Sequence, residues 1–169
     1  MNVKHRISAA LVLGVFALLS CGEPPAAPVA PPDASLLGSL LGGLLQCSPM
    51  PSVTATKTVG SAGGVIKIGP HSLAIPAGAL SAPVTITATA PSGTVNRIRF
   101  QPQGLEFLRP ASLTMSYANC SLLGVLLPKQ IVYTDDALNI LTYLLSIDNL
   151  LAEKVTGRVN HFSNYAIAR

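Results

Sequence analysis

The sequence predicts an all-β protein: an antiparallel β-sandwich carried behind an N-terminal leader and a tether. Three observations predict it. From residue 53 onward, short runs rich in Val, Ile and Thr alternate apolar and polar side chains with a period of two. Gly and Pro, 14 of each among 169 residues, fall between these runs and end them. Hydrophobic residues reach 49% against 11% charged, enough to fill a core and too apolar for a solvated, disordered chain. The same scarcity of charge excludes a nucleic-acid binder, which needs clustered Lys and Arg to meet phosphates. The formal net charge is +4.

Residues 1–20 read as a secretory leader. Lys4 and Arg6 make a basic start, residues 7–19 are an uncharged apolar run, and Ser20 precedes Cys21. Thirteen apolar residues are too few to span a bilayer, which takes about 20. Leu18-Leu19-Ser20-Cys21 resembles the bacterial lipoprotein lipobox. The resemblance implies cleavage before Cys21, a diacylglycerol on its thiol and acylation of its new amino group. Two or more chains give a stable anchor. Gly22 after the cysteine resembles the outer-membrane sorting pattern of Gram-negative cells. Without the leader, nine basic side chains face seven acidic ones, a mild +2 that implies no particular partner.

Residues 21–52 read as a tether. Residues 22–33 (GEPPAAPVAPPD) hold five prolines and should be extended and semi-stiff. Residues 35–46 (SLLGSLLGGLLQ) repeat Leu at helical spacing, but three glycines weaken a helix by about 1 kcal/mol each. A weak or partial helix docked on the domain is the expectation. An interfacial or self-associating helix and a flexible linker are the other readings.

Residues 53–169 read as the sandwich. Strands are expected over 53–59 (VTATKTV), 65–68, 71–75, 84–90 (VTITATA), 98–101, 113–117, 130–134, 140–144, 155–159 and 165–168. In 84–90, Val84, Ile86, Ala88 and Ala90 share one face and three threonines the other. Asp135-Asp136 and Asp148-Asn149 read as turns around 140–144. The Leu-rich residues 121–127, with 137–151, could hold a short helix.

Residues 63–80 (GGVIKIGPHSLAIPAGAL) resemble the start of the ZU-five domain, the β-sandwich module of ankyrins, netrin receptors and zonula occludens proteins, also found in bacterial envelope proteins. The carrying motif is Ile75-Pro76-Ala77-Gly78-Ala79-Leu80, followed by VTITATA. Phe107-Leu108-Arg109-Pro110-Ala111-Ser112-Leu113-Thr114 resembles a second hallmark, and His161-Phe162-Ser163 before Asn164-Tyr165-Ala166-Ile167-Ala168 a third. The three occur in the family's order over roughly residues 60–169. The Leu-rich insert near 121–127 departs from the pattern.

The resemblance bears on chemistry at one place. Some ZU-five relatives cut their own chain between the Phe and Ser of this motif. It implies that the Ser163 hydroxyl attacks the Phe162 carbonyl in an N-to-O acyl shift, with His161 as general base and water opening the ester. The plainer expectation is a structural last strand, Phe162 inward and His161 and Ser163 outward. His71 has no His or Cys partner at ligand spacing, so no metal is expected. Residues 60–64 (GSAGG) lack the Lys-Ser/Thr of a phosphate loop, and no Ser-centred elbow or acid pair is present. With Cys21 lipidated, Cys47 and Cys120 remain, to pair in an oxidising envelope or to stay as buried thiols; pairing is the expectation.

The expected function is therefore a lipid-anchored envelope protein, outer-membrane if Gram-negative, whose sandwich is a non-catalytic structural or interaction module. The self-cleaving module is the alternative. Expected partners are the membrane, through Cys21, and an envelope protein or carbohydrate. No nucleic acid, cofactor or metal is expected. A ligand carrier is disfavoured, since 5% aromatics without Trp line few cavities.

Overall fold

A computed structural model describes residues 43–121 and 127–169. The leader, Cys21 and most of the tether lie outside the described residues, as do residues 122–126 of the Leu-rich insert. The described chain is all-β, with eleven strands. They are β1 (Val53–Val59), β2 (Gly64–Ile68), β3 (His71–Ile75), β4 (Val84–Ala90), β5 (Arg97–Gln101), β6 (Glu106–Ser116), β7 (Gln130–Thr134), β8 (Ile140–Tyr143), β9 (Ser146–Asn149), β10 (Lys154–His161) and β11 (Asn164–Ala168). One sheet runs β1-β4-β5-β11-β7-β8 and the other β2-β3-β6-β10-β9. Every pairing is antiparallel. The two inner faces enclose one core that includes Ile66, Leu73, Ile86, Phe100, Leu113, Val155, Phe162 and Ile167.

The alternation in the sequence explains the pairing of β1 with β4. Their apolar faces turn inward, and their threonines meet on the other face: Thr54–Thr89 at 3.1 Å, Thr56–Thr87 at 3.1 Å and Thr58–Thr85 at 2.9 Å. Such cross-strand hydroxyl pairs contribute roughly 0.2–1 kcal/mol each and penalise a one-residue slip. The turn before β2 requires glycine at position 63. There φ is +73°, and a Cβ would lie 2.3 Å from the Ile75 carbonyl oxygen. The Ile75-Pro76-Ala77-Gly78-Ala79-Leu80 stretch ends β3 at Pro76. It bonds the Gly78 N–H to the Ser61 carbonyl and buries Ala79 and Leu80.

Four local expectations are corrected. Asp148 and Asn149 form strand β9 rather than a turn, because Asp148 accepts hydrogen bonds from the Tyr117 hydroxyl (2.6 Å) and the Lys129 N–H (2.8 Å). Those bonds satisfy its carboxylate inside the structure. Strand β6 begins at Glu106 and runs through Pro110. It does so because the last β3 pair is Ala74–Ser112 and the register with β10 shifts between Val159 and His161, so the missing N–H of Pro110 falls where the ladder is already broken. The His161-Phe162-Ser163 motif lies in no single last strand. His161 ends β10 in one sheet and Asn164 starts β11 in the other, so the motif is the corner where the chain changes sheets.

The fourth correction concerns the end of the tether. Residues 43–48 are part of the sandwich. The Leu45 N–H bonds the Ile167 carbonyl, Cys47 N–H that of Thr94, and Ser48 N–H that of Asn119. Leu45 is buried in the main core. The domain therefore starts before residue 53, and Leu44 and Leu45 reach it as extended chain rather than helix. Leu44 packs with Val95 and Ile140 against Val132, Ala166 and Ala168, a second apolar cluster.

Candidate functional site

The motif corner sits at one end of the sandwich, beside the β5–β6 turn. Phe162 is 1% exposed. Its ring stacks on Phe100 at 4.9 Å and meets Phe107 edge-on at 5.0 Å. Its backbone is held on both sides: the Phe162 N–H donates to the Leu105 carbonyl (2.8 Å), and the Gly104 N–H donates to the Phe162 carbonyl (3.0 Å). Ser163 is half-buried, and its carbonyl accepts from the Phe100 N–H at 3.2 Å.

His161 is placed differently from the expected base. Its Nδ1 lies 3.4 Å from the Phe162 carbonyl oxygen, and its ring packs edge-on against Tyr133 at 5.3 Å. The His161 carbonyl accepts a 2.6 Å bond from the Tyr165 hydroxyl. Burial, with the neighbouring Tyr133, raises the Tyr165 pKa, so the phenol stays a donor. A proton on Nδ1 would polarise the Phe162 carbonyl, as the Gly104 N–H does. The structure thus brings His161, Phe162 and Ser163 together with a donor that the sequence reading missed. The signal for it was the Gln101-Pro102-Gln103-Gly104 turn, which only the fold places against the motif.

Cys47 and Cys120 are joined by a disulfide with an S–S distance of 2.06 Å. It lies at the opposite end of the sandwich, where the tether enters. Tyr117, three residues before Cys120, donates a hydrogen bond from its hydroxyl to Asp148; burial and that carboxylate raise its pKa.

His71 is the other buried polar group of interest, 1% exposed. Its Nδ1 accepts the Ser116 N–H at 3.0 Å, which places the ring proton on Nε2. His71 borders a small chamber of about 140 Å³ shared with Met50, Pro51, Asn96 and Arg97. Burial pushes its pKa down to about 4 from 6.5. The folded pKa is the lower one, so the unfolded chain takes up the proton first. Stability is therefore full above about pH 6.5 and falls as pH drops toward about 4, by about 3 kcal/mol at most. Urea midpoints across that window should fall in the wild type and fall less steeply in His71→Gln; parallel slopes would show that another group carries the effect.

A shallow groove of about 500 Å³ crosses the outer face of the second sheet between Val65, Pro76 and Pro110, with Arg109 and Arg158 beside it. Among the described residues no three His, Cys, Asp or Glu side chains converge as metal ligands. Asp135 caps its own turn through Asn139, whose side-chain amide holds its carboxyl below the usual carboxylate range.

These features define the class: a two-sheet antiparallel β-sandwich with a disulfide at its tether end and an aromatic-packed corner at the other. No protein-family model matches the chain, and no curated protein matches it significantly.

Proposed function

We propose that the protein is a lipid-anchored component of a bacterial cell envelope whose ZU-five-like sandwich serves as a non-catalytic structural or interaction module. The observation that carries the proposal is the leader: a basic start and a short apolar run ending at Ser20-Cys21, followed by a proline-rich stretch. The disulfide between Cys47 and Cys120 is in keeping with an oxidising compartment. The first and third ZU-five-like motifs turn the chain out of β3 and between β10 and β11, where Pro76 and the buried Phe162 have structural roles of their own, and the second lies within β6. The groove flanked by Arg109 and Arg158 offers an open face to an envelope protein or an acidic carbohydrate.

One observation favours a second reading, self-cleavage between Phe162 and Ser163. The Gly104 N–H already points at the carbonyl oxygen that would gain negative charge. Against it, His161 addresses that same oxygen rather than the serine hydroxyl. The intact denatured mass of protein purified from an envelope, without reductant, tests both readings. The expected result is an acylated chain that starts at Cys21 and ends at Arg169. An unacylated cysteine sinks the anchor. A separate peptide of residues 163–169, abolished in Ser163→Ala, replaces the non-catalytic reading with the second one.

A further inference from the structure

The apolar side chains left in water are not scattered. Of nine large hydrophobic residues exposed among the described ones, seven fall between Leu127 and Leu151. Leu145 is 88% exposed, Ile147 77% and Leu151 fully exposed. Apart from Leu127, which precedes β7, they lie on β8, on β9 and in the connections after each; β8 and β9 are the edge strands of the two sheets on the same side of the sandwich. The other two edges are guarded by charge. Lys57 of β1 gives its ammonium to the Val65 carbonyl, and β2 carries Lys67. Strand β8 has no charged residue, and the one on β9, Asp148, is turned to Tyr117 and Lys129.

The position of this patch is set by the point where the tether joins. The Gly43 carbonyl accepts the Arg169 N–H, and Leu44 pairs with Ala168, which lies opposite Gln130. Ser48 and Cys47 are fixed to Asn119 and Cys120. From there Tyr117 binds Asp148 and the Glu153 carbonyl, and Lys129 binds Asp148. The chain arriving from Cys21 thus enters the sandwich at the end around which Leu127, Leu145, Ile147, Leu150 and Leu151 are gathered. Exposed apolar groups of this extent mark a contact surface. A lipid anchor at Cys21 keeps this end of the sandwich within the tether's reach of the bilayer.

We infer that this end of the sandwich is a membrane-contact surface, on which Leu145, Ile147 and Leu151 enter the acyl–headgroup boundary and orient the anchored domain. The inference rests on the anchoring proposal, and the experiment separates the two by leaving out the lipid. Residues 21–169 carrying Cys21→Ser are mixed with phosphatidylethanolamine–phosphatidylglycerol vesicles at high salt and floated. The chain should rise with the vesicles. Adding Leu145→Ser, Ile147→Ser and Leu151→Ser should lower its partitioning on the order of tenfold for each side chain removed. These side chains are exposed, so the urea midpoint should be unchanged. Three outcomes overturn the inference: an unlipidated chain that stays monomeric in the aqueous fraction; equal flotation of both forms, which assigns binding to other residues; or a soluble dimer that the three substitutions dissociate, which assigns the patch to a second copy. None of these bears on whether Cys21 is acylated, which the intact mass reads separately.

Discussion

Phe162→Ala should cost about 3–5 kcal/mol of stability, the largest loss expected from any single side chain of the motif. The ring is buried against Phe100 and Phe107, and it closes the core where β10 hands over to β11. Removing it leaves a cavity under a corner that backbone bonds to Gly104 and Leu105 hold in place, so the walls cannot easily collapse. Urea unfolding checks this. The midpoint should fall sharply with little change in slope, since the surface exposed on unfolding is nearly the same. Ser163→Ala, by contrast, should move the midpoint by well under 1 kcal/mol, about the effect of a typical substitution away from the core. If Phe162→Ala cost less than about 1 kcal/mol, the corner would not be the core element described here.

Breaking the Cys47–Cys120 disulfide should cost about 4 kcal/mol, because it closes a loop of 73 residues in the unfolded chain. The folded state should loosen locally as well. The cystine fastens residues 43–48 to the start of the β6–β7 connection, and it acts with only a few backbone bonds and the buried Leu45. The double variant Cys47→Ser/Cys120→Ser should unfold at lower denaturant. Its backbone amides at positions 45, 47 and 48 should also exchange hydrogen faster than those of β10. A wild type whose midpoint ignores reductant would contradict the expectation. So would a double variant with unchanged exchange at those three amides. Where the protein lives bears on this too, since the bridge persists only in an oxidising compartment.

The sandwich was legible in the sequence because its strands are half-buried. Val84, Ile86, Ala88 and Ala90 alternate with threonines, and that period of two is imposed by the pleat itself. The ends of β1, β3, β4 and β7 coincide with the runs read from the sequence because Gly, Pro or a polar turn residue stops each run locally. Strand β9 was not legible. SIDN has no alternation to read, and Asp148 looks like a turn former until its carboxylate finds Tyr117 and Lys129 from distant parts of the chain. The corner chemistry was half legible. His161, Phe162 and Ser163 stand next to each other, but the Gly104 N–H that meets the Phe162 carbonyl is 58 positions away in the chain.

By itself, then, the sequence determined the fold class, most strand positions and the residues of the motif. All of these are set by periodicities and neighbours within about ten positions, the range over which local backbone preference acts. The tertiary structure alone decided which sheet each strand joins and that the motif is a crossover between sheets. It also decided that residues 43–48 belong to the domain and that the unguarded edges β8 and β9 lie on the same side of the sandwich, with Leu145, Leu150 and Leu151 after them near the tether's end. Each of those depends on pairing between residues far apart in the chain. Such pairing is chosen by the burial and hydrogen bonding of the whole molecule rather than by any local preference.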